Sequence, residues 1–287
     1  MNNILIVTDT VANIPLDLCK SLGIVLVPLH IEIGGKSYRD TIDIDANSIY
    51  QQMRKGGALP LTSQPNPYDY LLTLENNLTP EIKTVLIITL SSKLSSTYLS
   101  ALSAKQHFEE KHPQIKIVVI DSLLAAMNQG WAVIEAARKA IKGANLDEVI
   151  QRIKDVSRIV KLYAVFETLE YLRRGGRISA AVAFLGSAFH ILPIITLSPE
   201  GMVVAAARVR SKKNGLEWMK NRIKETFKPH KKLHIAVMHA DAHDEAGQLK
   251  KEIEDEFPCS ESFIATFTPV MGVHTGPGII GVSFFTE

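Results

Sequence analysis

Short runs of consecutive apolar residues, separated by segments with helical spacing, recur through the first half of the chain and constrain its fold more than any other feature. Val85-Leu86-Ile87-Ile88 and Ile117-Val118-Val119-Ile120 offer no polar position to either face. A strand with one face in water alternates. A strand apolar at every position is covered on both faces, as in parallel sheets whose crossover helices lie above and below. Asn3 to Thr8, Ile24 to Leu29, Val85 to Thr89 and Ile115 to Ile120 read as such strands, with helices over Pro15 to Leu22 and Ser95 to Phe108. Residues 1–159 are therefore expected to form an N-terminal α/β domain, a three-layer α/β/α parallel sheet closed by helices from Leu124 to Ile141 and Leu146 to Ile159. Ligands of such sheets sit at the carboxyl ends of the strands. Those ends are polar here, at Thr8-Asp9-Thr10, Thr89 to Thr97 and Asp121-Ser122, and Gly56 to Pro67 reads as a loop able to reach the same crevice.

From Val160 the pattern changes. Strands are expected at Val160 to Phe166, Met202 to Ala207, Leu233 to Met238, Ser262 to Phe267 and Gly278 to Phe285, with helices at Thr168 to Arg173, Ser211 to Phe227 and Ala242 to Phe257. Fewer helices per strand point to a C-terminal α/β domain, residues 160–287, built on a mixed sheet with helices mainly on one face. Ile178 to Pro199 carries no charged side chain, long enough on paper to span a bilayer. Pro193 and the polar Ser179, Ser187, His190 and Thr196 interrupt it, and its β-branched second half fits a buried helix followed by a buried strand better than an integral membrane segment. The middle of the chain is nonetheless more apolar than a two-domain core of this size requires.

Net charge offers no global electrostatic case for a polyanionic partner, so any charged partner must meet a local patch. Lys and Arg number 32 against 30 Asp and Glu, so the balance of +2 argues against nucleic acid and against an anionic membrane. Cys19 and Cys259 lack metal-type spacing, and the N-terminus lacks a basic-then-apolar leader, so a reducing cytoplasm is the expected setting.

Several constellations carry chemistry. Ser91, Ser92, Ser95, Ser96 and Thr97 lie between a buried strand and a helix, where unpaired N–H groups favour an anion; plain N-capping by Ser95 or Ser96 is the alternative. Thr62-Ser63 is either a second donor pair for that anion or ordinary turn chemistry. Gly276-Pro277-Gly278-Ile279-Ile280-Gly281 matches the nucleotide fingerprint in letters only, since a strand follows it and no helix does. In this turn His274 can aim its ring at a ligand or serve as a satisfied loop histidine. His234, His239 and His243, with Asp241 and Asp244, fall on a strand and just past its end, so no metal site is expected. Ser95, His274 and Asp121 supply the residue types of a serine hydrolase or esterase, although no Gly-x-Ser-x-Gly elbow and no P-loop is present. Arg173-Arg174-Gly175-Gly176-Arg177 reads as a basic hinge, a helix end or an anion contact, and Arg208 and Arg210, followed by Lys212 and Lys213, form the clearest basic patch.

Taken in order, Val7-Thr8-Asp9-Thr10, Thr62-Ser63-Gln64-Pro65, Ser92 to Tyr98, Val119-Ile120-Asp121-Ser122, Leu169 to Ile178 and His274-Thr275-Gly276-Pro277-Gly278 resemble the motifs of the DegV family, bacterial fatty-acid-binding proteins that include the binding subunit of fatty-acid kinase. The resemblance spans the whole chain. It implies two α/β domains with a lipid tunnel in the interior, and a long-chain fatty acid as ligand with no further cofactor. It also implies no catalytic residues in this chain and a partner kinase that phosphorylates the presented carboxylate. By the same resemblance Thr62, Ser63 and Ser95 would hold the carboxylate with His274 and Arg177 nearby, and Arg208 and Arg210 would dock the kinase. Three positions depart from the family pattern: Ser96 where Gly is usual, Asn66 where a small residue or Pro is common, and Leu192 where Lys often precedes Pro193.

Overall fold

The parallel sheet runs β2-β1-β6-β7, from strands β1 (Ile4–Asp9), β2 (Ile24–Val27), β6 (Thr84–Thr89) and β7 (Lys116–Asp121). The computed structural model describes residues 3–56, 60–178, 181 and 191–287. Successive strand residues serve opposite faces, as the pleat requires. Leu5, Val7, Val85 and Ile87 pack with Tyr70 and Leu74 of α3 (Pro67–Asn77) and Ala101, Ala104 and Phe108 of α4 (Thr97–Lys111). Ile4, Ile6, Leu86 and Ile88 pack on the other side with Cys19 of α1 (Leu16–Leu22) and with α5 (Ala126–Ile141). The unbroken apolar runs are thus the signature of two covered faces.

The second sheet runs β10-β9-β8-β13-β11-β12. Its strands are β8 (Lys161–Val165), β9 (Leu192–Leu197), β10 (Val203–Val209), β11 (Leu233–His239), β12 (Cys259–Thr266) and β13 (Ile280–Thr286). β11 and β12 are parallel; the other pairs are antiparallel. One face packs on α8 (Lys212–Thr226) and α9 (His243–Glu256) through Ile235, Val237, Val282 and Phe284. The opposite face is covered as well, by α5 from the first half. The strands of the two sheets separate at Val160, which supports the division after Ile159 that we propose as the domain boundary. Of the charge-free stretch, β9 forms where a strand was expected, whereas the expected helix falls mostly on residues 179–180 and 182–190, outside the described residues.

A third sheet, β4-β3-β5, was not legible beforehand. β3 (His30–Ile33) pairs antiparallel with β4 (Lys36–Arg39) and with β5 (Leu61–Ser63), inside the segment expected to be a loop. Three residues carry no periodicity of their own, so β5 is a strand only because the edge of β3 is there to pair with it.

Thirteen of the sixteen residues of α5 are buried. A helix apolar all round belongs in a core, and α5 lies between the two large sheets, hydrogen-bonded to both. Gln129 Nε2 donates to Thr8 Oγ1 and Asp9 Oδ2 of β1, at 2.9 and 3.1 Å. Trp131 Nε1 donates to the Ser283 carbonyl of β13 at 3.2 Å, and the Ser283 hydroxyl donates to Asn128 Oδ1 at 2.7 Å.

Small residues let the helix approach this closely. A Cβ on Gly130 would lie 2.6 Å from the Ala12 carbonyl oxygen and 2.8 Å from Met127 Sδ. Alanine has the better helix propensity by about 1 kcal/mol, but overpacking costs about 1–3 kcal/mol and the backbone carbonyl cannot swing aside. Gly130→Ala should therefore lower the melting temperature measured by circular dichroism. An unchanged or higher value would show that α5 has room to spare.

Candidate functional site

The strand ends converge on a cavity with about 880 Å³ of space outside the protein atoms, its open mouth included. Val11, Leu29, Leu90, Ala125 and Ala126 line it from the first half, and Leu162, Phe166, Ile195, Val203 and Ile279 from the second. Polar residues also reach it: Thr62, Ser63, Gln64, Ser95, Arg177, Thr196, His274 and Thr275. All five candidate ligand residues named from the sequence therefore line one cavity. Arg208 and Arg210 do not line it; both are exposed, Arg208 within β10 and Arg210 just beyond it.

His274 belongs to a helix, α10 (Pro269–Thr275), rather than to the glycine turn where it was expected. Pro269 opens the helix, and the Thr268 side chain accepts the Met271 N–H. Three buried groups fix its start. Asp40 Oδ1 accepts the Val270 N–H at 3.0 Å, Asn13 Oδ1 accepts the Thr268 N–H at 3.0 Å, and the Tyr50 hydroxyl donates to the Phe267 carbonyl at 3.0 Å. Burial pushes the Asp40 carboxyl up to about 6. The helix delivers the His274 ring to β5, where Nε2 lies 2.7 Å from Thr62 Oγ1 across 212 positions of sequence.

Burial, with a smaller contribution from the Arg177 charge, lowers the His274 pKa to about 4, so the ring is neutral near pH 7. With its proton on Nε2 the ring donates to Thr62 Oγ1, which leaves the Thr62 hydroxyl hydrogen for an incoming acceptor. Nδ1 is buried without a hydrogen-bond partner and faces Gly175, where a Cβ would stand 2.2 Å from it. Arg177 follows α7 (Glu170–Arg174); its Nε donates to the Leu94 carbonyl at 3.1 Å and its terminal nitrogen to the Gly175 carbonyl at 2.5 Å. Among the described residues no carboxylate pairs with it. Among the described residues the guanidinium is thus held by two carbonyls, which are neutral.

Ser95 stands one position before the N-cap of α4, Ser96, whose own side chain makes no cap bond. The Ser95 Oγ accepts the Thr97 N–H at 3.3 Å at the start of α4, and Ser95 lines the cavity. Ser63 and Gln64 are exposed, which places the cavity mouth at the β5 end. The strand-end aspartates organise the loops between. Asp9 accepts from the N–H groups of Val11 at 3.1 Å and Leu90 at 2.8 Å, both cavity residues, and burial pushes its carboxyl up to about 7. The sequence marks Asp9 only as part of the polar strand end Thr8-Asp9-Thr10, and nothing in it showed that this carboxylate ties Val11 and Leu90 together.

Ser95, His274 and Asp121 do not assemble as a hydrolase. The His274 ring is bonded to Thr62, Ser95 is bonded to Thr97, and Asp121 Oδ1 accepts from the N–H groups of Ser92 and Leu123. Gly276 and Gly278 both have positive φ, in a turn that feeds β13, as expected of a false nucleotide fingerprint. Among the described residues no group of His, Cys, Asp and Glu could hold a metal ion, and no helix is long and apolar enough to cross a membrane.

Comparison with known proteins follows this geometry. Residues 3–287 match the model of a family described as uncharacterised proteins of the DegV family, and the chain belongs to that family. It is 32% identical over 287 residues to a DegV domain-containing protein of Caldanaerobacter subterraneus subsp. tengcongensis, covering 100% of both chains. It is also similar to the solved structure of a fatty-acid-binding DegV family protein from Thermus thermophilus, at 32% identity and a TM-score of 0.91, covering 99% of this chain and 100% of that one. The crystal structure of DegV, a fatty acid binding protein from Bacillus subtilis, matches with 28% identity and a TM-score of 0.86 over 100% of both chains.

Gly175 offers a direct check on the His274 arrangement. Gly175→Ala should displace the ring from Thr62 and weaken binding of a carboxylate ligand about tenfold, the equivalent of one hydrogen bond to a charged group. Titration calorimetry measures this. Unchanged affinity would show that the ring need not sit where the structure has it.

Proposed function

We propose that the chain binds a long-chain fatty acid, shields the acyl tail in the apolar cavity, and presents the carboxylate to a partner kinase that forms an acyl phosphate from ATP. The observation that carries the binding step is the division of the cavity wall: apolar side chains from both halves, and, where β5, α10 and the segment after α7 meet, hydroxyls, a neutral imidazole and one guanidinium. An amphiphile with one anionic end matches that division. Burying about fifteen methylenes at about 0.8 kcal/mol each supplies about 12 kcal/mol of gross transfer free energy, offset in part by ordering the lipid. Thr62, Ser63 and Ser95 are the donors in this reading, with His274 and Arg177 beside them. Relatives described as fatty-acid binding support it.

Presentation is supported by the exposed Ser63 and Gln64, which leave the polar end at the surface where a second protein can reach it. Arg208 and Arg210 are the proposed docking patch, the partner supplying acidic side chains. In this scheme the carrier contributes no catalytic residue. It orients the carboxylate oxygen, and the kinase delivers the phosphoryl group.

Two measurements test the two halves of the proposal. Protein purified from a bacterial host should release stoichiometric fatty acid into organic solvent, read by mass spectrometry; no acyl ligand, together with no binding of added palmitate or oleate, overturns the carrier reading. Reversing Arg208 and Arg210 to Glu should leave lipid occupancy intact and slow kinase-coupled acyl-phosphate formation, most strongly at low salt, because exposed charges are screened over about 8 Å at physiological ionic strength. Equal rates at low salt with lipid confirmed would place docking elsewhere.

A further inference from the structure

The loop that carries Thr62 and Ser63 is closed on a single residue. In the β3–β5 ladder His30 stands opposite Ser63, so the backbone of His30 anchors the start of the segment 63–69. The His30 side chain anchors its end, with Nε2 2.7 Å from Asp69 Oδ2. Both partners are largely buried, with side-chain exposures of 17% and 16%. The same Asp69 oxygen accepts the Asn66 N–H at 2.7 Å, and Asn66 Oδ1 accepts the Asp69 N–H at 3.0 Å, a reciprocal cap on α3. Asn66 is one of the three departures from the family pattern; its backbone N–H, which an alanine would also supply, completes the ring of contacts around Gln64 and Pro65, while its side chain caps α3.

We infer that His30 and Asp69 are positioning residues for the anion end of the cavity, locking the 63–69 loop so that Thr62 and Ser63 face the ligand's carboxylate. This rests on the fatty-acid reading above. Neither residue lines the cavity, so neither touches the ligand; they act through the geometry of the loop. Hydrogen bonds tolerate little misalignment, whereas burial of a tail is non-directional. A loosened loop should therefore weaken recognition of the carboxylate and leave the tail's contribution alone.

The experiment compares palmitate with hexadecanol, which share a tail and differ at the head, by displacement of a fluorescent acyl probe from delipidated protein. Wild type should prefer palmitate. His30→Ala removes the strut and keeps the cap on α3; it should reduce the palmitate-over-hexadecanol ratio about three- to tenfold with the hexadecanol affinity unchanged. His30→Gln retains an N–H donor toward Asp69 and should recover most of the ratio. Asn66→Ala weakens the cap and keeps the strut, so it should lower the melting temperature without changing the ratio. A wild-type ratio in His30→Ala overturns the positioning role, and so does a parallel loss of both affinities. If wild-type protein binds neither compound, the fatty-acid reading itself has failed.

Discussion

A helix buried between two sheets must satisfy both at once, and α5 is the element on which the rest of this molecule depends. Its side chains are small where backbones approach, as at Gly130, and polar only where a sheet offers a partner, as at Gln129 toward β1 and Asn128 toward β13. The N-terminal end of this helix, at Ala125 and Ala126, forms part of the cavity wall. The packing that joins the two halves and the packing that shapes the ligand space are therefore one arrangement. Further along, Glu135 of α5 pairs with Arg138 and with Arg152 of α6 (Leu146–Ile159), while Arg138 also holds Glu261 of β12. Burial opposes the charge on Glu261, yet hydrogen bonds from Arg138 and His234 bring its pKa down to about 2.

The chemistry of the site rests on a contrast between groups that are satisfied and groups that are not. Asp9 and Asp121 spend their oxygens chiefly on backbone N–H groups and set loops in place, and Asp40 Oδ1 does the same at the start of α10. Arg177 and His274 are held by neutral partners: the guanidinium keeps its charge, and the imidazole, donating through Nε2 to Thr62, leaves the Thr62 hydroxyl hydrogen to be donated in turn. Buried polar groups in folded proteins are nearly always paired. Reserve capacity gathered at one end of an apolar cavity is what a carboxylate-bearing chain would use.

Much of this was legible in the sequence because it depends on local pattern. The runs at Val85 to Ile88 and Ile117 to Ile120 reported two covered faces, and Leu146 to Ile159 is the helix that its spacing requires. Residues shaped by distant neighbours were not legible. β5 exists because β3 lends it an edge, and His274 lies in a helix whose start is fixed by Asp40, Asn13 and Tyr50, all more than two hundred positions away. The cover on the inner face of the six-stranded sheet was missed for a related reason, since it is supplied by a helix from the other half. Ser95 shows the remaining limit: spacing cannot tell which serine caps α4, and in the fold Ser96 is the cap position while the Ser95 hydroxyl accepts the Thr97 N–H at the edge of the cavity.

The order of strands in the second sheet has a consequence for biosynthesis. β13 follows the other described strands in sequence, yet it sits between β8 and β11 in the interior of that sheet. During synthesis β8 and β11 exist before the strand that joins them, and while β13 is still unmade His274, only six positions before it, has not yet met Thr62. Long-range pairing of this kind folds late and exposes apolar surface while it waits. The wall that the second half contributes to the cavity, Leu162 and Ala164 of β8 included, therefore rests on a pairing made only after most of the chain exists.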